Sequence, residues 1–411
     1  MSDPNTFTIA VRKFGPFESA MQKFWTAFCA QSGCTLKLKL EIMDLHELYQ
    51  RTLSENGLKD GTFDVAHINT DWILEGHVQQ AFEVLNPYIE KHPPADYPQG
   101  WSNSLLKLQE FEGAVVGLPF HDGPECLMYR KDLFDDKSEQ KAYAEQYGQP
   151  LGVPQTWEEF HQIAKFFHRP DANLYGSIFA GFPDGHNAVF DFCLQLWTRG
   201  GDLLDQHGDI NIDTPAALAA LTFYRIIFND PEAVHPKSAE FDSVAAGIAF
   251  SQGEAALMVN WFGFAAMCQI DANSKVKDQV GVALLPSAED QKSASLNVYW
   301  LYTIGSGSQY KDIAYQFLQF VTTAINDKLL TLEGGIGCRL STWKDREINQ
   351  LIPFYHKLEM LHQVAKMLPQ RKNWASIVAI IDEMMQKVMH MQHNLNDILT
   401  NAQEKINSIR L

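Results

Sequence analysis

Between Phe7 and Ile68 the chain alternates short strands with amphipathic helices, and that order leaves few folds open. Phe7–Val11 reads as a strand, and Phe17–Gln31 as a helix with Phe17, Ala20, Met21, Phe24 and Phe28 on one face. Leu36–Leu40 alternates apolar and basic residues, the period of a second strand. His46–Leu58 reads as a helix ending near Gly57, and Phe63–Ile68 as a third strand. A β-α-β-α-β order predicts a parallel sheet covered by helices. Such sheets bind ligands beyond the carboxyl ends of their strands. Here those ends are Arg12-Lys13-Phe14-Gly15 and Asn69-Thr70-Asp71-Trp72.

The rest of the chain is mixed. Val115–Phe120, Leu127–Tyr129, Tyr175–Ala180, Glu254–Asn260, Val280–Leu285 and Asn297–Ile304 read as strands. Thr156 and Glu159 form the capping box of a helix over Trp157–Phe167. Asn187–Thr198 reads as a helix stopped by Gly200-Gly201, and Thr214-Pro215 opens another that runs to about Phe228. Lys311–Thr322 is helical. Ser376–Ile406 carries one sustained apolar stripe, with Met384, Met385, Met389 and Met391 read as core packing. A length of 411 residues suits two or three domains or one large two-lobed fold.

Composition excludes several function classes. A hydrophobic fraction of 45% and a charged fraction of 20% describe a folded chain. A formal charge of −17 argues against a broad footprint on nucleic-acid phosphates or on anionic membranes. The nearest approach to a membrane span, Ala255–Cys268, is broken by Asn260 and falls short of the roughly 18 apolar residues required. The first residues, MSDPNTFTIAVRK, lack the basic and apolar regions of a signal peptide. The six cysteines contain no C-x-x-C pair. Cys29 and Cys34 could pair, although free buried thiols are the usual state of sparse cysteines.

Motifs for catalysis or cofactors are missing. The chain has no G-x-x-x-x-G-K-[ST] loop for phosphate and no G-x-S-x-G elbow. Gly305 and Gly307 lack the third glycine of a dinucleotide fingerprint, and His46-Glu47-Leu48-Tyr49-Gln50 lacks the second zinc-binding histidine. His390 and His393 lie one turn apart but have no further metal ligand in view. No cofactor and no metal are expected. Asp71, Asp122 and Asp184 lie in three loops. They could flank a glycosidic bond, or more simply accept hydrogen bonds from sugar hydroxyls. Nine Trp and 13 Tyr supply rings for the apolar faces of a sugar.

Several strings, in order, carry a family resemblance. They are Phe63-Asp64-Val65-Ala66 followed by Asp71-Trp72, Gly117-Leu118-Pro119-Phe120-His121-Asp122-Gly123, and Tyr129-Arg130-Lys131-Asp132-Leu133-Phe134. Further on come Pro154-Gln155-Thr156-Trp157-Glu158-Glu159-Phe160, Gly200-Gly201-Asp202-Leu203-Leu204, and Phe250-Ser251-Gln252-Gly253-Glu254-Ala255-Ala256-Leu257-Met258. Ala314-Tyr315-Gln316-Phe317-Leu318-Gln319-Phe320 and Gly334-Gly335-Ile336-Gly337-Cys338-Arg339 complete the set. Together they resemble the family 1 extracellular solute-binding proteins, the maltose-binding-protein-like sugar receptors of ABC importers. Arg130 stands where the family has Asn, and Cys338 where it has Pro.

The resemblance implies an α/β, two-lobed periplasmic-binding-protein fold of type II-like form, with discontinuous lobes joined by a multi-segment hinge. By that analogy lobe one is 1–117 plus 262–306 and lobe two is 118–261 plus 307–411. The chain would cross near Val115–Pro119, Val259–Phe262 and Ile304–Tyr310. A ligand bound between the lobes would close them and be delivered to membrane permease subunits. The family pattern assigns ligand contacts to Lys13, Phe14, Asp71, Asp122, Asp184, Asn187, Trp261, Trp300, Arg339 and Trp374. His186 joins Asp184 and Asn187 in one loop, and of Tyr299 and Trp300 only one should face the ligand. Each has a plainer alternative: Asp71 could cap the helix after it, Asp122 could form a turn, and Arg339 could bridge backbone carbonyls. Trp72 is expected to pack inside lobe one. The implied function is capture of a mono- or oligosaccharide by a monomeric, non-catalytic, periplasmic or extracellular protein, with a cytoplasmic sensor left open. A polyamine or other small polar solute is the alternative ligand. A carbohydrate-active enzyme is the alternative class.

Overall fold

A computed structural model describes residues 5–391 and 394–409. Among the described residues its two larger sheets use nine strands. These are β1 (Thr6–Arg12), β2 (Lys37–Met43), β3 (Val65–Asn69), β4 (Leu118–His121), β5 (Glu125–Arg130), β6 (Tyr175–Ile178), β7 (Ala255–Trp261), β8 (Val280–Ala283) and β9 (Trp300–Ile304). The main helices are α1 (Gly15–Ser32), α2 (Trp157–Phe167), α3 (Asn187–Trp197), α4 (Pro215–Phe228), α5 (Lys311–Val321), α6 (Trp374–Met389) and α7 (Leu395–Ser408).

The chain divides into two units, Met1–Gly123 with Asn297–Leu358, and Pro124–Leu296 with Glu359–Leu411. The first holds the sheet β2-β1-β3-β9-β4. Strand β1 runs parallel to β2 and β3, as the β-α-β-α-β order predicts. Strand β9 enters antiparallel between β3 and β4. Phe17, Ala20, Met21, Phe24 and Phe28 of α1 are buried against β1 and α5, where Phe7, Trp25 and Phe317 interlock. In the second unit the sheet order is β8-β5-β7-β6. Helices α3, α4, α6 and α7 of this unit pack on one another.

The unit boundaries differ from those expected. Residues 262–296 stay with the second unit because β8 pairs with β5. Residues 307–358 stay with the first because β9 is an inner strand of its sheet and α5 packs on it. The chain still passes between units three times, at 123/124, 296/297 and 358/359.

Local signals explain most elements. In α2, Thr156 Oγ1 accepts from the Glu159 amide at 3.2 Å, and the Glu159 carboxylate accepts from the Thr156 amide at 3.3 Å. Thr156→Ala should therefore cost about 1 kcal/mol, read from a urea midpoint at unchanged slope. The helix expected over His46–Leu58 is shorter. It runs Leu45–Tyr49 from an Asp44 cap and continues as a wide π-type turn over Gln50–Ser54. The long stripe over Ser376–Ile406 is two helices, α6 and α7, because the chain breaks after Met389 and Asn394 caps a new start. Met384, Met385 and Met389 are buried as expected, whereas Met391 is 61% exposed beyond the end of α6. His390 ends α6, and His393 lies outside the described residues.

Candidate functional site

In the first unit the candidate residues collect where β1, β3 and β4 end and β9 begins. The register sets Trp300 opposite both Asn69 and His121. Asp71 and Asp122 follow those two partners by two residues and one residue. Asn69, rather than Asp71, caps the 3-10 turn Thr70–Trp72, its Oδ1 accepting from the Asp71 amide at 3.3 Å. Asp71 is itself partly exposed and lies beside Tyr49, whose hydroxyl burial and Glu75 push up to about 12. Trp72 is buried, with its ring between Tyr49 (5.3 Å) and Trp300 (5.8 Å, near perpendicular). Trp300 is the partly exposed member of the Tyr299–Trp300 pair, since Tyr299 is buried and donates its hydroxyl to the Leu105 carbonyl.

Asp122 is buried, and its amide donates to the Ile336 carbonyl at 3.0 Å. Lys13 is exposed, with its amide extending the β1–β2 ladder to the Met43 carbonyl. Phe14 is half-buried and packs edge-on against Phe17 at 5.0 Å. Arg339, expected as a ligand contact, is enclosed by its own unit. It is only 1% exposed and donates to the Ala95 and Thr322 carbonyls and to Asp96, with its guanidinium 4.4 Å from the Trp101 ring centre. It is a clamp inside its own unit, the bridge to backbone carbonyls that was its plainer alternative.

In the second unit β5 and β7 run antiparallel, so their ends place Glu125 opposite Trp261. The Trp261 ring is partly exposed and stands edge-on to Phe190 at 5.6 Å, and Phe190 meets His186 at 5.4 Å. Asp184 is occupied locally. Its carboxylate accepts from the His186 amide (2.9 Å), the Asn187 amide (3.1 Å) and the Asn187 side chain (2.6 Å), which fixes the start of α3. Asn187, expected as a ligand contact, is buried and donates its side-chain amide to Asp184. Trp374, which opens α6, is 5% exposed, and its Nε1–H has no hydrogen-bond partner among the described residues.

Three acids in this unit escaped the sequence reading. Asp191 accepts from the Tyr224 hydroxyl at 2.5 Å, and burial pushes its carboxyl up to about 7. Burial raises Glu125 well above the usual range, with the Asp191 charge adding. Its Oε2 has no hydrogen-bond partner among the described residues. Asp382 on α6 is raised by burial and by Asp184. A carboxyl held neutral can donate as well as accept, which suits a hydroxyl group. The available signal was an acid inside an apolar run: Glu125 before Cys-Leu-Met-Tyr, and Asp191 within Ala-Val-Phe-Asp-Phe-Cys-Leu. Among the described residues no group of three or more His, Cys, Asp or Glu could hold a metal ion.

A sequence profile of the bacterial extracellular solute-binding proteins matches residues 18–328, most of the chain. The chain belongs to that family. Among curated relatives of this solute-binding protein, the mannitol-binding protein of Pseudomonas aeruginosa is 25% identical over 333 residues, covering 79% of this chain and 72% of its own. A probable ABC transporter-binding protein of Deinococcus radiodurans is 24% identical over 368 residues, covering 86% and 80%. Among solved structures, maltose-bound T. maritima MalE3 superposes with a TM-score of 0.85 at 22% identity, covering 98% of this chain and 99% of its own. A ribitol complex from Agrobacterium radiobacter K84 gives 0.86 at 22% identity, covering 98% of each. These likenesses establish the two-lobed α/β fold of periplasmic binding proteins. Among the described residues no helix is long and apolar enough to cross a membrane.

Proposed function

We propose that this solute-binding protein captures a neutral sugar or polyol and presents it to the permease subunits of an ABC importer. The observation that carries this reading is the pairing of partly exposed indole with carboxyl at the strand ends of each unit. In one unit Trp300 neighbours the Asp71 and Asp122 segments, and in the other Trp261 stands opposite Glu125. Rings cover the C–H faces of a sugar, and carboxyl oxygens accept from its hydroxyls. The curated mannitol-binding relative and the structures named for maltose and ribitol support the same ligand class. The reading places the working protein, without catalysis, outside the cytoplasmic membrane.

Titration calorimetry and Trp fluorescence with mannitol, ribitol, tagatose, maltose and spermidine test it. At least one neutral polyhydroxylated compound is expected to bind and leave unchanged in mass. Asp71→Ala should weaken that binding about tenfold or more, the loss of one charged hydrogen bond. A response to spermidine alone would replace the sugar reading by a polyamine one, which the acids Asp71, Asp122 and Asp184 also suit.

A further inference from the structure

The end of α1 brings two cysteines together. Gly33 adopts a left-handed conformation (φ 74°) and donates its amide to the Cys29 carbonyl at 3.0 Å, turning the chain back over the last helical turn. The Cys34 amide then donates to Ser32 Oγ at 3.3 Å. That turn leaves the Cys34 side chain against Cys29, four residues before the glycine, and the two thiols share a hydrogen bond. Both side chains are half-buried at the rim of the same cluster, which includes Phe28 and Phe317. Burial, with the Cys34 thiol beside it, pushes the Cys29 thiol up to about 11. The other four thiols, Cys126, Cys193, Cys268 and Cys338, are each 0% exposed.

We propose that Cys29 and Cys34 are a redox modification site, which a small disulfide oxidant converts into an intrachain disulfide that ties off the end of α1. The Cys34 thiolate attacks one sulfur of the oxidant and expels its other half as a thiolate. Cys29, losing its proton to solvent, attacks the Cys34 sulfur of that mixed disulfide and expels the second half. Two protein thiols are oxidised to one disulfide, and one oxidant disulfide is reduced to two thiols. Cys29 is the reluctant partner, so closure of the mixed disulfide should accelerate as pH rises from 7 to 9. The site does not depend on which solute the protein carries.

The test starts from fully reduced folded protein, incubated with oxidised glutathione and then denatured for thiol counting and intact mass. Of the six thiols, four should remain, with a mass about 2 Da lower for the two hydrogens lost. Proteolysis should recover a linked Cys29–Cys34 fragment. Cys34→Ser should abolish the loss of about 2 Da, and Cys29→Ser should stop the reaction at a glutathione adduct. Six thiols unchanged, stable glutathione adducts on the wild-type chain, or a link to any other cysteine would each overturn the proposal.

Discussion

Arg339→Ala is expected to destabilise the unit formed by Met1–Gly123 and Asn297–Leu358 by about 3 kcal/mol. Arg339 Nη1 donates to the Thr322 carbonyl at 2.8 Å and the Ala95 carbonyl at 3.0 Å, and Nη2 donates to Asp96 at 2.6 Å. The Asp96 side chain is 71% exposed, so the ion pair itself contributes little. The larger effects are two carbonyls deprived of a charged donor and a hole left against the Trp101 ring. Arg339→Lys should recover only part of the loss, because an ammonium cannot fork between those acceptors while lying flat on the indole. Gly100→Ala offers an independent check, since a Cβ there would come within 2.7 Å of the same guanidinium. Urea unfolding at fixed pH reads all three. If stability barely moves while affinity for the solute collapses, Arg339 contacts ligand after all and the clamp is the wrong account.

Arg339 also shows where sequence reading runs out. The string Gly334-Gly335-Ile336-Gly337-Cys338-Arg339 is visible as a family feature, but its job depends on contacts remote in sequence. Asp327 receives the Cys338 amide at 2.8 Å, the Arg339 amide at 3.1 Å and the Thr342 hydroxyl at 2.5 Å. The proline usual at position 338 could not donate the first of these, so the departure has a local physical reason. Gly337 sits so close to Asp327 that an added Cβ would meet its carboxylate at 2.4 Å. No period or spacing announces such a knot. Strands β1, β2 and β3, helices α1 and α2 and the Thr156 capping box were legible because their causes lie within a few residues. The unit boundaries were not, because they rest on β9 pairing with strands more than 170 residues earlier. Asp71, Trp261 and Trp300 could be nominated from strand ends. Glu125 and Asp191 show in sequence only as acids inside apolar runs, and such a carboxyl acquires its meaning from the groups that bury it.

Those buried acids, and two buried histidines of the first unit, contribute to the acid response in opposite senses. In the first unit His67 is fully buried among Phe17, Phe120 and Tyr302, and both its ring nitrogens lack a hydrogen-bond partner among the described residues. Burial, then the nearby His121, hold it well below the usual imidazole range. Burial also pushes His121 down to about 4, and its Nδ1 must stay unprotonated to accept from the Ile336 amide at 2.8 Å. An unfolded histidine titrates near 6.5. As pH falls from there toward 4, the unfolded chain takes up protons that the folded unit refuses. The stability these rings contribute is complete above about 6.5 and declines by up to about 1.4 kcal/mol per ring per pH unit below it. In the second unit Asp191 is raised to about 7 and Glu125 well above the usual carboxyl range. They bind protons in the folded state that the unfolded chain does not, so between about 7 and 4 their own contribution to that unit's stability grows as pH falls. Asp64 and Asp327, also raised by burial, oppose the histidines within the first unit, and a difference measurement removes them. His67→Phe supplies it. The variant should match or exceed the wild type at pH 7.5, having lost two unpaired polar atoms, and the gap should widen steadily toward pH 4.5. Calorimetric unfolding of both chains across that range is the check. A gap that stays constant or narrows in acid would mean that His67 is not the neutral, solvent-excluded ring described here.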